Sequence, residues 1–219
     1  MGDSPIAIVK SHKHLGLSFS EHAKWTVHIS AMINKAWTSI GLLRSLKFVL
    51  SRLSLEKMYI CFIRSLLEYS DVIWDNCSVV LHNDVEAVQI EAARIATSAT
   101  KLCNVQSLLS ELKWERLVIR RRNHRLSLLY KMKNGSAPQY LSNLVPVQTQ
   151  DRYALRNAEN IPLPIARSQL YNSSFLPATI RDWNALPLEY RNANSVQVFK
   201  HKLLTHSPNI ARYFVSAVG

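Results

Sequence analysis

Apolar residues in the first two thirds of the chain recur every three or four positions, the spacing that places side chains on one helix face. One stripe runs through Trp25, Ile29, Met32, Ala36, Ile40 and Leu43. The next passes through Leu55, Tyr59, Phe62, Leu66, Tyr69 and Ile73, and a third through Val85, Val88, Ala92 and Ile95. These stripes predict helices capped at Ser54 and at Asn83 or Asp84, with Phe62 and Tyr69 buried together against the first stripe.

The remaining segments predict a hairpin before these helices, and a fourth helical region and a proline-rich part after them. Two extended pieces, Ile6–Val9 and Leu15–Phe19, are joined by the polar residues 11–13 and predict a small β-hairpin. A fourth helical region opens at Asn104, turns near 113–114 and ends at Asn134–Gly135. Six prolines then interrupt residues 136–190, where short helices are predicted at 178–185 and, capped by Ser195, at 196–205.

The expected fold class is therefore mainly α, a helical bundle with a small N-terminal β-hairpin and an irregular Pro-rich C-terminal region with short helices. The expected segments are a hairpin at 1–22, a helical domain at 23–135, and an appendage at 136–219 that packs on the bundle. No internal repeat or low-complexity tract interrupts this organisation.

The charge balance favours a polyanionic partner. The chain has 27 Lys and Arg against 15 Asp and Glu, which gives a formal net charge of +12. Nucleic acid is a better candidate than a membrane surface, and no apolar run approaches the roughly 18 residues of a membrane span. Three dispersed cysteines and the lack of an N-terminal apolar segment lead us to expect an intracellular protein, in nucleus or cytoplasm, that is not secreted.

The cations are most concentrated between residues 113 and 133. This segment contains eight Lys or Arg and one acidic residue, Glu115. The predicted nucleic-acid-binding residues are Arg116, Arg120, Arg121, Arg122, Arg125, Lys131 and Lys133. On a helix, Arg116, Arg120 and Lys131 share a polar stripe that could follow a phosphate backbone. The alternative is that the inner arginines pair with carboxylates and cover the core with their aliphatic stems.

Residues for catalysis do not converge anywhere in the sequence. Adjacent aspartates, a phosphate-binding glycine loop and a nucleophile motif are all missing. Asp71 and Asp75 stand four apart and could bind a cation, but a solvated helix end is the better interpretation. His12 and His14 could bind a metal, but they lack an evident third ligand. We therefore predict no catalytic residue, no metal site and no cofactor.

A series of short motifs follows in order along the chain, beginning with Lys13-His14-Leu15-Gly16 and Trp25-x-x-His28-Ile29. The later blocks are Leu67-Glu68-Tyr69 with Val72-Ile73-Trp74, Val88-Gln89 with Ala92-Ala93-Arg94-Ile95, Leu112-x-Trp114 with Leu117 and Arg120-Arg121-Arg122, Pro138-x-Tyr140-Leu141, Ser174-Phe175-x-Pro177, Trp183-Asn184-x-Leu186-Pro187, and Phe199-Lys200. This ordered series resembles LINE-type (non-LTR) retrotransposon reverse transcriptases of jockey-like and related clades, and its first two motifs are similar to the segment just after the catalytic palm. The resemblance covers residues 6–205. His14 stands where the family usually has an aromatic residue, and the C-terminal Cys/His knuckle of some relatives is missing.

The resemblance implies that the fingers and palm, with their Asp-Asp motif, precede the part seen here. It implies a primer-grip-like element at Lys13, His14, Leu15 and Gly16, followed by thumb-like helices that close on a template–primer duplex. We therefore expect a chain without polymerase activity of its own that binds RNA or DNA with little sequence preference. The alternatives are a helical scaffold for protein partners and a retroelement remnant without function. The sequence leaves the oligomeric state open.

The exposure of Arg116, Arg120 and Lys131 should distinguish nucleic-acid binding from the role of a helical scaffold. An open basic face favours nucleic-acid binding, whereas pairing with carboxylates such as Glu68, Glu86 or Glu91 favours a scaffold.

Overall fold

The computed structural model describes residues 9–147 and 160–205. It divides into two compact units, the first within Met1–Ser70 and Cys77–Leu117, the second within Asp71–Asn76 and Val118–Gly219. The predicted helical segment 23–135 is therefore shared between the units. The helices, in chain order, are α1 (Thr26–Leu46), α2 (Arg52–Met58), a π-helix (Tyr59–Arg64), α3 (Ser65–Glu68), α4 (Asp71–Trp74), α5 (Val79–Thr97), α6 (Val105–Leu112), α7 (Leu117–Lys133), α8 (Gln139–Ser142), α9 (Gln169–Ser173), α10 (Phe175–Asn184), α11 (Leu188–Arg191) and α12 (Val196–Thr205).

The first unit begins with the predicted hairpin, but its first strand lies elsewhere. Strand β1 (Ser11–His14) pairs antiparallel with β2 (Leu17–Ser20), so the polar residues predicted as a connector form the strand. Leu15 and Gly16 have φ of 45° and 84°, and this two-residue turn pairs His14 with Leu17. The turn therefore sets the register. Of the predicted strand Ile6–Val9, residues 6–8 lie outside the described residues.

Helices α1 and α5 confirm two of the predicted stripes. Ile29, Met32, Ala36, Ile40 and Leu43 are buried on α1, and Val85, Val88, Ala92 and Ile95 on α5. The first unit packs α1 on α5, and α5 on α2 and α6. The predicted caps were wrong, because Ser51 and Ser78 occupy the extended position before α2 and α5 and accept the amide hydrogen bonds.

The second stripe was assigned to the wrong face beyond Tyr59. Leu55, Tyr59, Ile63 and Leu67 are buried, whereas Phe62 is 68% exposed and Tyr69 is also exposed. The physical reason is the π-helix at Tyr59–Arg64, whose wider turn changes the step of the buried face to four residues. The prediction that Phe62 packs in the core is therefore wrong.

The second unit is built on α7, α10 and α12. Leu126, Leu129 and Tyr130 of α7 pack with Trp183 of α10 and Phe199 of α12, and the Tyr130 and Phe199 rings stack at a centroid distance of 4.6 Å. The predicted C-terminal helices are confirmed, and Ser195 caps α12 by accepting from the Val198 amide. The helix stop is confirmed at Gly135, with φ of 67°.

The chain is mainly α with a small N-terminal hairpin, as the sequence predicted. Asn104 caps α6, and Lys113 makes the predicted turn with φ of 55°. Across residues 9–147 and 160–205, none of the helices combines the length and apolar character needed to span a bilayer.

Candidate nucleic-acid interface

Helix α7 carries most of the predicted nucleic-acid-binding cations, and three of them are buried. Arg121, Arg122 and Arg125 are only 1%, 3% and 4% exposed. Arg122 precedes Leu126 by four residues and Leu129 by seven, so it shares their core-facing side of α7. These three residues were predicted to bind nucleic acid, but the structure encloses their side chains in the protein, as the alternative of carboxylate pairing expected for the inner arginines.

Two aspartates accompany the buried guanidinium groups. Asp75 accepts from Arg121 Nε at 2.8 Å, and its other carboxylate oxygen lies 2.6 Å from Arg125 Nε. Asp182 accepts from Arg125 Nη2 at 3.1 Å and lies 3.8 Å from Arg122 Nε. The two carboxylate side chains are only 8% and 3% exposed. These five residues form a buried ion-pair cluster that replaces part of the solvation lost on folding.

Asp71 and Asp75 do not form a solvated helix end, so that interpretation was wrong. Asp71 is buried and lies 2.6 Å from His124 Nδ1, and the Arg121 guanidinium lies 5.3 Å from the Trp74 ring centroid. Arg121 and Arg125 both lie against Asp75, whereas Asp71 lies against His124, so the spacing of these residues in the sequence does not mark the contacts.

The other predicted cations do not form a fully open face. Arg116 and Arg120 are half-buried and interact with neighbouring groups, and Lys131 is half-buried. Lys133 is exposed, and its ammonium lies 5.4 Å from the Trp183 ring centroid. The exposure of these cations therefore favours neither an open nucleic-acid-binding face nor a face closed by carboxylate pairs.

The primer-grip-like residues lie together at the tip of the hairpin. Lys13 and His14 end β1, Leu15 and Gly16 form the turn, and all four are exposed. Tyr69 Oη donates to the Leu15 carbonyl oxygen at 2.6 Å and holds this turn in place. A β-carbon on Gly16 would lie 3.2 Å from Tyr69 Cε1, so glycine provides both the backbone conformation and the close approach.

His28 was quoted in the resemblance but was not predicted as a site residue. It lies in the first turn of α1 and is 8% exposed, and its Nε2 atom is buried without a hydrogen-bond partner among the described residues. Burial lowers the pKa of the His28 imidazole from its ordinary 6.5, and the positive charges of Lys13 and Lys35 lower this pKa further. The hairpin and α1 thus bring two cations close to a neutral imidazole.

The exposed surface of the first unit is strongly basic. Its described residues include nine exposed cations and three exposed carboxylates. The cations are Lys10, Lys13, Lys24, Lys35, Arg44, Arg52, Lys57, Lys101 and Lys113, and the carboxylates are Glu21, Asp84 and Glu111. Arg44 pairs with Glu91, and Arg52 pairs with Glu56 and Glu111. The seven lysines give this unit its excess positive charge.

Potential metal ligands are dispersed within the described parts of the chain, where no three His, Cys, Asp or Glu side chains form a metal-binding group. The His12 and His14 rings stack at 6.4 Å on one face of β1. Asp75 and Asp182 are engaged by arginines.

We found no match to this chain among protein-family models, curated proteins or solved structures.

Proposed function

We propose that this chain is the region downstream of the palm in a LINE-type reverse transcriptase and that it binds nucleic acid with little sequence preference. The observation that carries the proposal is the surface of the first unit, with nine exposed cations and three exposed carboxylates. Such a surface attracts polyanions because each neutralised phosphate releases condensed counterions. Phosphate contacts carry no base information, so RNA and DNA should both bind. The ordered sequence motifs support the assignment to this family.

The contact surface that we propose consists of Lys10, Lys13 and Lys35, and we call it the hairpin–α1 surface. All three side chains are exposed, and Lys13 belongs to the primer-grip-like element. Lys13 and Lys35 both influence His28, so they lie on the same part of the first unit. Strand β2 packs on α1, which fixes the hairpin against the helix that carries Lys35.

The buried arginines of α7 have a different role in this proposal. Arg121, Arg122 and Arg125 stabilise the second unit through Asp75 and Asp182. Binding phosphate at these guanidinium groups would require opening buried pairs, which is costly. We therefore assign phosphate binding to the hairpin–α1 surface.

The proposal is tested by fluorescence-anisotropy titrations of the full chain with an RNA–DNA hybrid, duplex DNA and a single strand at several salt concentrations. The test variant is Lys10→Gln/Lys13→Gln/Lys35→Gln. The control is Lys57→Gln/Lys101→Gln/Lys113→Gln, which removes the same charge from other exposed positions of the first unit. Each phosphate contact contributes about 0.7 to 0.9 to the slope of log affinity against log salt. The test variant should therefore flatten the slope by roughly two to three, and the control should keep it.

Equal losses in both variants would mean that binding follows net charge and that the hairpin–α1 surface is wrongly assigned. A wild-type chain that binds none of the three nucleic acids at low salt would contradict the proposed function itself.

We also propose that the chain has no polymerase activity of its own, because the family's Asp-Asp motif is missing from its sequence and two-metal catalysis needs such carboxylates. Template–primer with deoxynucleotides and Mg²⁺ or Mn²⁺ should give no extension. Extension that disappears when Asp75 or Asp182 is changed in a variant that stays folded would overturn this.

A helical scaffold for protein partners is the second candidate. It is favoured by the apolar side chains exposed on the first unit, among them Phe62 at 68% and Phe48 at 91%. Under this alternative, nucleic-acid affinity should be weak and identical for the test and control variants. Phe62→Ser should then change the binding of an identified protein partner and leave the salt dependence of nucleic-acid binding unaltered.

A further inference from the structure

The first turn of α1 has backbone donors without a side-chain cap. The N-cap position is Trp25, whose side chain accepts no hydrogen bond from the helix, and the first turn contains no carboxylate. The early amides of a helix have no acceptor within the helix, and the macrodipole places partial positive charge at this end. Helix N-termini therefore favour anions.

The imidazole of His28 belongs to the same turn. Its side chain is more than nine-tenths buried, yet Nε2 has no hydrogen-bond partner among the described residues. Buried polar atoms are normally paired. The His28 ring centroid lies 6.3 Å from that of Trp25, the N-cap residue, so the imidazole lies beside the N-terminal end of α1. An acceptor placed there could satisfy both kinds of donor.

Two separate elements contribute positive charge around this imidazole. Lys13 belongs to β1 and Lys35 to α1, and both act electrostatically on His28. Together with burial they lower the pKa of His28, so the imidazole is neutral near neutral pH. An anion bound between these groups would offset the lysine charges and would favour the protonated imidazole.

We propose that the first turn of α1, His28 Nε2 and Lys13 form a site for one phosphate oxyanion. The site rests on the proposed function, because it names the place on the hairpin–α1 surface where a single phosphate is held. The phosphate oxygens accept from the amides of the first turn and from Nε2–H of His28, while the Lys13 and Lys35 ammonium groups balance the charge. The phosphate of a nucleic-acid backbone, a terminal phosphate and free phosphate share this chemistry.

The test follows the His28 Cε1–H resonance of the full chain against pH, alone and with each of three probes. The probes are inorganic phosphate, a short oligothymidylate with a 5′-hydroxyl end, and the same oligomer with a 5′-phosphate. A bound phosphate should raise the pKa of His28 by roughly one unit or more, as an opposite charge within hydrogen-bonding range does. The exposed His22 and His201 serve as internal references and should shift much less.

Lys13→Gln should weaken phosphate binding measured at His28 by roughly two- to fivefold, the contribution of one partly screened charge pair. Lys57→Gln, an equal change on α2, should leave this affinity unaltered. If only the 5′-phosphate oligomer shifts His28, the site takes a terminal phosphate; if both oligomers do, it takes a backbone phosphate.

An unchanged pKa of His28 at saturating oligomer overturns the site while leaving the proposed nucleic-acid binding intact. A chain that binds neither oligomer contradicts the proposed function. The inorganic phosphate titration then decides the site alone, and an unshifted His28 there overturns it.

Discussion

Replacing Asp182 with asparagine removes one carboxylate charge from the buried ion-pair cluster while keeping the shape of the side chain. Asp182 accepts from Arg125 Nη2 at 3.1 Å and lies 3.8 Å from Arg122 Nε. Arg125 also donates to Thr179 Oγ1 at 3.3 Å, a neutral group that cannot balance its charge. After the substitution Asp75 would be the remaining carboxylate of the cluster, beside three buried guanidinium groups.

The magnitude follows from this burial. Arg122, Arg125 and Asp182 have side chains that are at most 5% exposed, so water cannot replace the lost partner without local opening. Breaking a buried pair from one side costs about 3–5 kcal/mol, because the remaining charge is left uncompensated. We expect Asp182→Asn to lower the free energy of unfolding of the second unit by about this amount.

The assay is urea denaturation followed by circular dichroism, with hydrogen exchange of peptides from 118–133 and 175–184 to locate the effect in the second unit. Glu189→Gln is the matched control, since it makes the same charge change at an exposed carboxylate of that unit. It should change stability by less than about 0.5 kcal/mol. If Asp182→Asn costs no more than the control, the cluster does not stabilise the unit and the argument is wrong.

Three further predictions concern the first unit. Ile63→Ala should cost about 2–5 kcal/mol in urea denaturation, whereas Phe62→Ala should cost less than about 1 kcal/mol; the reverse order would refute the π-helix register. Gly16→Ala should lower the melting temperature and the hydrogen-exchange protection of the hairpin, because φ is +84° and the new Cβ lies 3.2 Å from Tyr69 Cε1; unchanged protection would contradict this. The pKa of His28 in the folded chain lies below its ordinary 6.5, so the unfolded chain binds the proton more readily. The part of the unfolding free energy that depends on a neutral His28 is therefore fully present above about pH 6.5 and is lost as the pH falls toward the folded-state pKa. His28→Gln should reduce the loss of unfolding free energy between about pH 7.5 and about pH 5.5, and an unchanged difference would argue against it.

Helical periodicity predicted the fold wherever the helices keep 3.6 residues per turn. On α1 and α5 every stripe residue from Ile29 to Leu43 and from Val85 to Ile95 is buried, as predicted. The prediction failed at Phe62 because one π-helix changes the step of the buried face, and no residue type in Tyr59–Arg64 marks such a turn. The prediction of the hairpin register also failed, because the turn depends on a positive φ at Leu15, and leucine rarely adopts that conformation.

The candidate site shows where composition misleads. A run such as Arg120-Arg121-Arg122 suggests a phosphate-binding helix, but successive helical positions point in different directions, and only the partners reveal which cations are buried. Here the partners are Asp75 and Asp182, which lie 46 and 61 residues from Arg121 along the chain, so a local charge window around α7 cannot show the pairing. The exposed lysines of the hairpin and α1 are spread over 26 positions from Lys10 to Lys35, and no short window shows them as a cluster. Dense charge on a helix with an apolar face is therefore a reason to look for distant carboxylates before assigning that helix to nucleic acid.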